Sequence, residues 1–284
     1  AGNVIFNNTI EEKRNNKRTF ILFGIGGSYK PNENIEIYSN VSENYRSVTF
    51  ADISIINPAF SINPDISDER GNTIDLGIRG NINKLISYDL TLFNLNYKDR
   101  IGFAQKEFKD GSVKSERGNI GDAIIYGLES NIDFDVNNLI IKNDNISLNV
   151  FLNTAIIDSE YIRSEENGVI GKKVEFVPNY NIKTGIKLGI GNFIFNTQYS
   201  HVSTQFTDSS NAKEGNISGI IGEIPGYSLL DFSIAYRLKK IKIETGINNL
   251  TNTYYFTRRA TGYPGPGIIP SPPRNSYLTL QIRL

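Results

Sequence analysis

The residues best suited to chemistry are two adjacent arginines and a tyrosine near the C-terminus. Arg258, Arg259 and Tyr263 stand at the entrance to a Gly/Pro-rich stretch over residues 258–273. A guanidinium presents a planar fork of N–H donors that matches the two oxygens of a carboxylate, so an arginine pair suits a polycarboxylate ligand. The alternative is a pair of solvated arginines. We take Arg258, Arg259 and Tyr263 as candidate ligand-binding residues.

Two further candidates, Arg100 and Gln105, lie at the end of the long segment 87–105. Both could point at the same ligand, although ordinary polar residues at a rim are an alternative. The chain has one histidine, His201, and no cysteine, so a metal site built from His and Cys ligands is not expected. No opposed carboxylates and no nucleophile beside a base suggest catalysis. The sequence therefore predicts neither an enzyme nor a resident cofactor.

Composition narrows the class of protein. The 284 residues suffice for one large β domain or two smaller ones. A formal net charge of +0 gives no support for nucleic-acid binding, which usually needs a basic excess. No apolar run approaches the ~18 residues of a transmembrane helix. The sequence has no Met, so we expect a processed chain or a fragment.

The last eight residues alternate strictly. Leu278, Leu280, Ile282 and Leu284 fall on one parity and polar residues on the other, which predicts a strand with one apolar face. If the strand belongs to a membrane barrel, lipid lies on the Leu278 side and a lumen on the Arg283 side. The alternation recurs over residues 19–29, 35–41, 74–79, 124–134, 148–153, 182–190, 193–199, 230–238 and 241–248. In the segment 87–105 apolar residues occupy both parities, so its faces stay undefined.

Connections between these strands alternate in length. Short turns are expected near residues 31, 82, 140, 191 and 239, and long loops over residues 48–72, 106–118, 158–174, 203–223 and 258–273. Short turns on one side and long loops on the other indicate an outer-membrane barrel. The fold class is thus all-β, an antiparallel transmembrane β-barrel portion. The odd number of about eleven strands, with residues 1–17 as a loop tail, predicts the C-terminal half of a barrel of about 22 strands without its plug domain.

Several stretches resemble TonB-dependent outer-membrane receptors over nearly the whole chain. The matching stretches are Asn63-Pro64-Asp65-Ile66 with Glu69 and Ile74–Gly77, Tyr97–Ile101, Tyr126–Glu129, Gly246–Tyr255, and Tyr255–Gly267, the last of which is similar to the ferric-citrate receptor subgroup. The resemblance implies active transport of a ferric chelate, a siderophore or ferric citrate, across a bacterial outer membrane. Iron would enter only as a chelate substrate.

The same resemblance implies the partners. They are the ferric chelate, TonB–ExbB–ExbD acting through an N-terminal region outside the chain, and outer-membrane lipid with lipopolysaccharide, which Arg258 and Arg259 could face instead of a ligand. No nucleic-acid partner is expected. Two other functions remain open at this point: a passive porin or specific channel, and a soluble β-sheet adhesin.

Overall fold

The structure is a computed structural model that describes residues 2–6, 9–14, 18–54, 60–109, 111, 113–143, 145–217, 219–260 and 267–283. Its strands are β1 (Gly2–Phe6), β2 (Thr9–Arg14), β3 (Gly24–Asn32), β4 (Ile35–Arg46), β5 (Phe60–Ile62), β6 (Glu69–Ile82), β7 (Ile86–Glu107), β8 (Val113–Asp135), β9 (Ile146–Arg163), β10 (Tyr180–Ile190), β11 (Phe193–Val202), β12 (Gln205–Phe206), β13 (Glu223–Ile224), β14 (Tyr227–Leu238), β15 (Ile241–Asn248), β16 (Phe256–Ala260), β17 (Gly267–Pro270) and β18 (Asn275–Ile282). A short helix, α1, covers Phe50–Ile53, and a π-helical turn covers Asn137–Ile141. No helix among these residues is long and apolar enough to cross a membrane.

One large antiparallel sheet dominates the fold. Eleven strands follow each other in the order β3-β4-β6-β7-β8-β9-β10-β11-β14-β15-β18, and β5 adds to it by pairing in parallel with β8. In the described part of the chain the sheet is open, because its edge strands β3 and β18 are not paired with each other. The predicted all-β class and the count of about eleven strands are confirmed.

One face of this sheet carries uncovered apolar side chains. Leu76, Leu92, Leu128 and Ile156 are paired directly across the four neighbouring strands β6 to β9. Between 37% and 56% of each residue is exposed. Successive side chains of a strand point to opposite faces, so the alternation in the sequence gathers these residues on one side. Their exposure means that no second sheet covers this row in the part of the chain that the structure describes.

The opposite face of β7, β8 and β9 holds the largest apolar core. The connection after β9, residues 164–179, folds back over the sheet and packs against this face. As a result β7 is apolar on both sides, which explains why the alternation alone left the faces of residues 87–105 undefined. The core comprises Ala104, Ile120, Ala123, Ile125, Tyr161, Val169 and Val174, with Phe93, Leu95, Tyr97, Ile157 and Val177 packed around it.

The connections alternate in length along most of the chain, but one of the long loops was predicted wrongly. Residues 106–118 are mostly strand, because Lys106 pairs with Lys114 and Glu107 with Val113, which leaves only residues 108–112 as the connection. Polar composition suggested a loop there. The polar residues instead form cross-strand contacts, such as the Lys106 Nζ to Glu116 Oε1 ion pair at 2.8 Å.

Other predicted loops contain regular structure of their own. The stretch expected as a loop tail, residues 1–17, includes the hairpin of β1 and β2. Residues 203–223 include β12 and the first residue of its partner β13, and residues 258–273 include β17 and the end of its partner β16. Strand β9 runs on to Arg163, six residues into the loop predicted over 158–174. The long connections therefore contain more regular secondary structure than their sequences predicted.

Candidate functional site

Arg100 lies at a bulge on the long-connection side of β7. The register between β7 and β8 shifts between Tyr97 and Arg100, and Asp99 takes a left-handed backbone conformation with φ of 53°. A bulge adds an unpaired residue and re-aims the side chains beside it. Arg100 thereby lines a cavity of about 290 Å³ at the inner side of the connection 164–179.

This cavity is unusually rich in charge. Strands β4, β6, β7 and β8 contribute to it, and the connection 164–179 completes it. We call it the arginine cavity. Its charged lining residues are Arg46 of β4, Glu69 of β6, Arg100 of β7, Arg117 of β8 and Glu175 of the connection.

Asp52 of α1 neutralises two of these arginines. Its Oδ1 accepts hydrogen bonds from Arg46 Nη2 at 2.7 Å and from Arg117 Nη2 at 2.8 Å. Its Oδ2 accepts from the backbone N–H of Thr49 at 2.9 Å and from Thr49 Oγ1 at 2.7 Å. Burial alone would raise the pKa of Asp52, but the hydrogen bonds from Thr49, Arg117 and Arg46 outweigh it and lower that pKa. Asp52 is therefore a fully bonded carboxylate that ties the connection after β4 to β8.

Glu69 supplies a second counter-charge next to Arg46. Its Oε2 accepts a hydrogen bond from the backbone N–H of Ile101 at 2.8 Å and lies 3.8 Å from Arg46 Nη1. The Glu69 side chain is 6% exposed. It thus joins β6 to β7 just beyond the bulge and leaves Arg46 between two carboxylates.

Glu175 is the counter-charge of Arg100, and their contact is incomplete. Its Oε2 accepts a hydrogen bond from the Tyr161 hydroxyl at 2.7 Å but lies 3.6 Å from Arg100 Nη2. Glu175 Oε1 and Arg100 Nε are both buried without a hydrogen-bond partner. Well-formed arginine–carboxylate pairs have N–H···O distances of about 2.7–2.9 Å, and each buried polar atom left without a partner costs about 1–3 kcal/mol. Burial raises the pKa of Glu175, and the positive charge of Arg100 opposes this.

A glycine permits the close approach of Glu175 to β7. A Cβ atom added to Gly102 would lie 2.7 Å from Glu175 Oε1 and 2.8 Å from Ile120 Cγ1. Both distances are too short for an unshifted side chain. Any larger residue at position 102 would therefore push the Glu175 carboxylate away or displace Ile120.

Gln105, the second candidate on β7, lies outside the lining of the arginine cavity. It pairs with Ser115 on β8, and its amide Nε2 is buried without a hydrogen-bond partner. The neighbouring Lys106 bridges Glu116 and Glu166, with Nζ at 2.8 Å and 3.1 Å from their Oε1 atoms. The Gln105 amide thus remains a free donor near the far end of the hairpin.

The two C-terminal arginines differ in their surroundings. Arg258 is exposed on β16. Arg259 donates from Nη1 to the carbonyl of Gly219 and from Nη2 to that of Glu223, both at 2.9 Å, and its guanidinium lies 5.2 Å from the Phe256 ring centroid. Arg259 therefore ties the last long connection to the one before it. Tyr263 lies outside the described residues.

The long connections also bind one another. Asn211 Oδ1 accepts from the N–H of Lys173 at 2.7 Å, and Asn211 Nδ2 donates to the carbonyl of Lys173 at 2.9 Å. Ser209 donates from its backbone N–H and from Oγ to the carbonyl of Phe103 on β7. Ile220 and Ile221 pack with Phe60. These contacts assemble the connections into one cap over the arginine cavity side of the sheet.

His201 and the acidic residues show no metal site. His201 Nδ1 lies 2.9 Å from Ser228 Oγ on the neighbouring strand. Within the described ranges, no group of three or more His, Cys, Asp or Glu residues could hold a metal ion.

Sequence reasoning found one arginine of the cavity and missed the others. Arg46, Arg117 and Glu175 lie in polar stretches that carry no periodic pattern, and the hydrogen bonds of Arg117 to Asp52 span 65 positions. Glu69 was singled out only as part of a motif. Nothing in the local sequence signals that these groups converge.

The sheet is open and antiparallel, and one of its faces is apolar and uncovered. It has short turns at one end and a polar cap at the other. These features define part of the wall of a membrane β-barrel. The chain belongs to the family described as TonB dependent receptor-like, beta-barrel, whose model matches residues 3–250.

Solved structures agree in fold. The chain is similar to the ferric citrate transporter FecA in its unliganded form (22% identity, TM-score 0.71, covering 92% of this chain and 37% of that one). It is also similar to the copper transporter OprC (16% identity, TM-score 0.67, covering 91% of this chain and 38% of that one). A third similar structure is the ferric yersiniabactin uptake receptor FyuA from Yersinia pestis (17% identity, TM-score 0.66, covering 91% of this chain and 36% of that one). The chain thus spans little more than a third of each of these proteins, and likeness at this level of identity defines the fold alone.

Proposed function

We propose that this chain forms part of the wall and of the extracellular cap of a TonB-dependent receptor that imports a ferric chelate across the bacterial outer membrane. The observation that carries the proposal is the arginine cavity beneath the cap. Family membership supports outer-membrane uptake, and three guanidinium groups in one cavity suit an oxygen-rich anionic chelate such as ferric citrate or a carboxylate siderophore.

Strand lengths support the placement of the cavity outside the bilayer. A transmembrane β-strand needs about 9–11 residues, whereas β7 has 22 and β8 has 23. If the short turns lie at the periplasmic face, residues beyond about position 97 of β7 project past the membrane. Arg100 and Gln105 then belong to the extracellular part and are proposed ligand contacts. Arg258 is a third proposed contact, and Arg259 would act by holding the cap.

The proposed partners follow from the family. A plug domain and a TonB-binding segment, outside this chain, would close the lumen and couple transport to TonB–ExbB–ExbD. Lipid would contact the apolar row that includes Leu76, Leu92 and Leu128. The exposure of that row is why we prefer a membrane wall to a soluble adhesin, whose apolar faces would pack together.

Iron uptake tests the proposal. A full-length receptor carrying this chain is expressed in a strain without other ferric-chelate receptors, and uptake of radioactive iron is measured as ferric citrate and as a ferric hydroxamate. We expect uptake of at least one chelate and its loss when TonB is deleted. Uptake that persists without TonB, together with steady ion conductance in planar bilayers, would identify a passive channel instead.

A further inference from the structure

Arg100 differs from the other two arginines of the cavity in two respects. Its carboxylate partner comes from a different part of the chain, and the contact with that partner is longer. Arg46 and Arg117 donate to Asp52 at 2.7 and 2.8 Å. Among the described residues, the carboxylate that lies within 4 Å of Arg100 is that of Glu175, at 3.6 Å, and Arg100 Nε is left without a hydrogen-bond partner. Glu175 belongs to a long connection rather than to a wall strand. The least satisfied guanidinium of the cavity is therefore opposed by a carboxylate that comes from the cap.

The cavity has room for more than the Glu175 carboxylate. Its volume of about 290 Å³ is roughly ten times the ~30 Å³ that a water molecule occupies in the liquid. An arm of a polycarboxylate fits in such a space. Donors for its oxygens are already present, because Arg100 Nε is free and the Tyr161 hydroxyl already binds a carboxylate oxygen there.

We propose that Glu175 is a built-in substitute for a ligand carboxylate, so that an anionic oxygen group of the chelate binds Arg100 in the arginine cavity and takes the place of the Glu175 side chain. The inference rests on the proposed function and adds the side-chain exchange by which the chelate binds. The site selects chelates that carry free carboxylates over neutral or cationic ones.

The backbone of the connection need not move for this exchange. Val174 is fully buried, its N–H donates to Ser159 Oγ at 3.2 Å, and the N–H of Phe176 donates to the carbonyl of Phe206 at 3.0 Å. These contacts hold residues 174–176 on both sides of Glu175. The exchange that we propose is a rotation of the Glu175 side chain alone, after which the Tyr161 hydroxyl donates to the incoming carboxylate.

The charge balance of the cavity predicts whether each substitution strengthens or weakens the binding of a carboxylate. Three carboxyl groups, those of Asp52, Glu69 and Glu175, face the three guanidinium groups, so an incoming carboxylate must compete with Glu175. Replacing Glu175 by Gln removes the competitor and one negative charge while keeping a side-chain oxygen for the Tyr161 hydroxyl. Removing the Arg100 charge eliminates the group for which both compete.

Citrate binding to the purified full-length receptor tests the proposal. The probe is iron-free citrate, titrated by calorimetry at neutral pH. We expect Glu175→Gln to lower the Kd for citrate by about tenfold or more and Arg100→Gln to raise it by about tenfold or more, in line with the strength of close charge pairs in binding. Glu165→Gln, in the exposed part of the same connection, and Arg70→Gln, exposed on β6, are the matched controls and should leave the Kd unchanged.

Each outcome of the citrate titration supports or overturns the proposed exchange at Arg100. Equal citrate affinity in wild type, Glu175→Gln and Arg100→Gln overturns the proposal, as does a lack of citrate binding by all of them. If Arg100→Gln does not fold, as judged by migration on unheated gels, Glu175→Gln against Glu165→Gln decides alone. A tightened citrate Kd without any iron uptake would support this inference and refute the transport function; normal uptake with unchanged citrate affinity would do the reverse.

Discussion

The orientation of the sheet in the membrane can be tested by placing one arginine on either face at the same height. Leu92 lies six residues beyond Ile86, the first residue of β7, which is about 20 Å along the strand. With a tilt of about 40°, this corresponds to about 15 Å above the short-turn end, close to the middle of an apolar band about 25 Å tall. Leu92 is 56% exposed, so its replacement loses little packing within the protein.

At that depth an arginine facing lipid costs about 2–4 kcal/mol of folding free energy. This corresponds to a change of about 30- to 700-fold in the folding equilibrium. The matched variant is Glu129→Arg, because Glu129 pairs with Thr91, the residue next to Leu92, and lies on the opposite face. A lumen-facing arginine should cost less than about 1 kcal/mol.

The assay is reversible folding of the full-length receptor into lipid vesicles, followed by urea titration. We expect Leu92→Arg to be destabilised by about 2–4 kcal/mol relative to Glu129→Arg. Equal stabilities, or a larger loss for Glu129→Arg, would refute the assignment of the Leu92 face to lipid.

Four further predictions concern the cap and the arginine cavity. Asp52→Asn should weaken the attachment of α1 to Arg117 by about 1–3 kcal/mol, seen as faster hydrogen exchange over residues 49–53. Because the pKa of Asp52 is lowered in the folded protein, the same attachment should persist at neutral pH and be lost progressively as the pH falls below about 4, where this carboxylate ordinarily protonates. A protection factor over residues 49–53 that stays the same across this pH range in the wild type would contradict this. Arg259→Gln should free the connection 203–226 and increase its cleavage by trypsin. An unchanged digestion pattern would show that the hydrogen bonds from Arg259 to the backbone carbonyls do not hold this connection in place. Gly102→Ala should displace Glu175 and shift the citrate Kd in the same direction as Glu175→Gln, and an unchanged Kd would mean that Ile120 yields instead.

Strand periodicity made most of the sheet predictable. The alternation over residues such as 124–134 or 241–248 is a local property, since each side chain's face follows from its position in the strand. Turn residues such as Gly191 and Asn192 fixed the short connections in the same local way. The all-β class and the eleven strands therefore followed from short windows of sequence.

What could not be predicted depends on contacts between distant segments. The two apolar faces of β7 require residues 164–179 to fold back onto Phe93 and Leu95. The extension of the β7–β8 hairpin past residue 106 is formed by polar residues that pair across the two strands. Composition alone does not separate such a strand from a loop.

The arginine cavity was the least predictable feature for the same reason. Arg100 was selected for its position at a strand end, and its partner Glu175 lies in a connection whose path no local pattern specifies. Arg259 was selected for a carboxylate ligand, yet its guanidinium binds the carbonyls of Gly219 and Glu223. Residue type indicated the chemistry available at each position, but the partner was set by the packing of the cap.

Anomalous diffraction at the iron absorption edge, from crystals of the full-length receptor soaked in ferric citrate, tests the central claim most directly. We expect an iron peak on the extracellular side of the sheet, with a citrate carboxylate within hydrogen-bonding distance of Arg100 and the Glu175 side chain turned away. An iron peak distant from the arginine cavity, or no peak in a fully folded receptor, would contradict the claim.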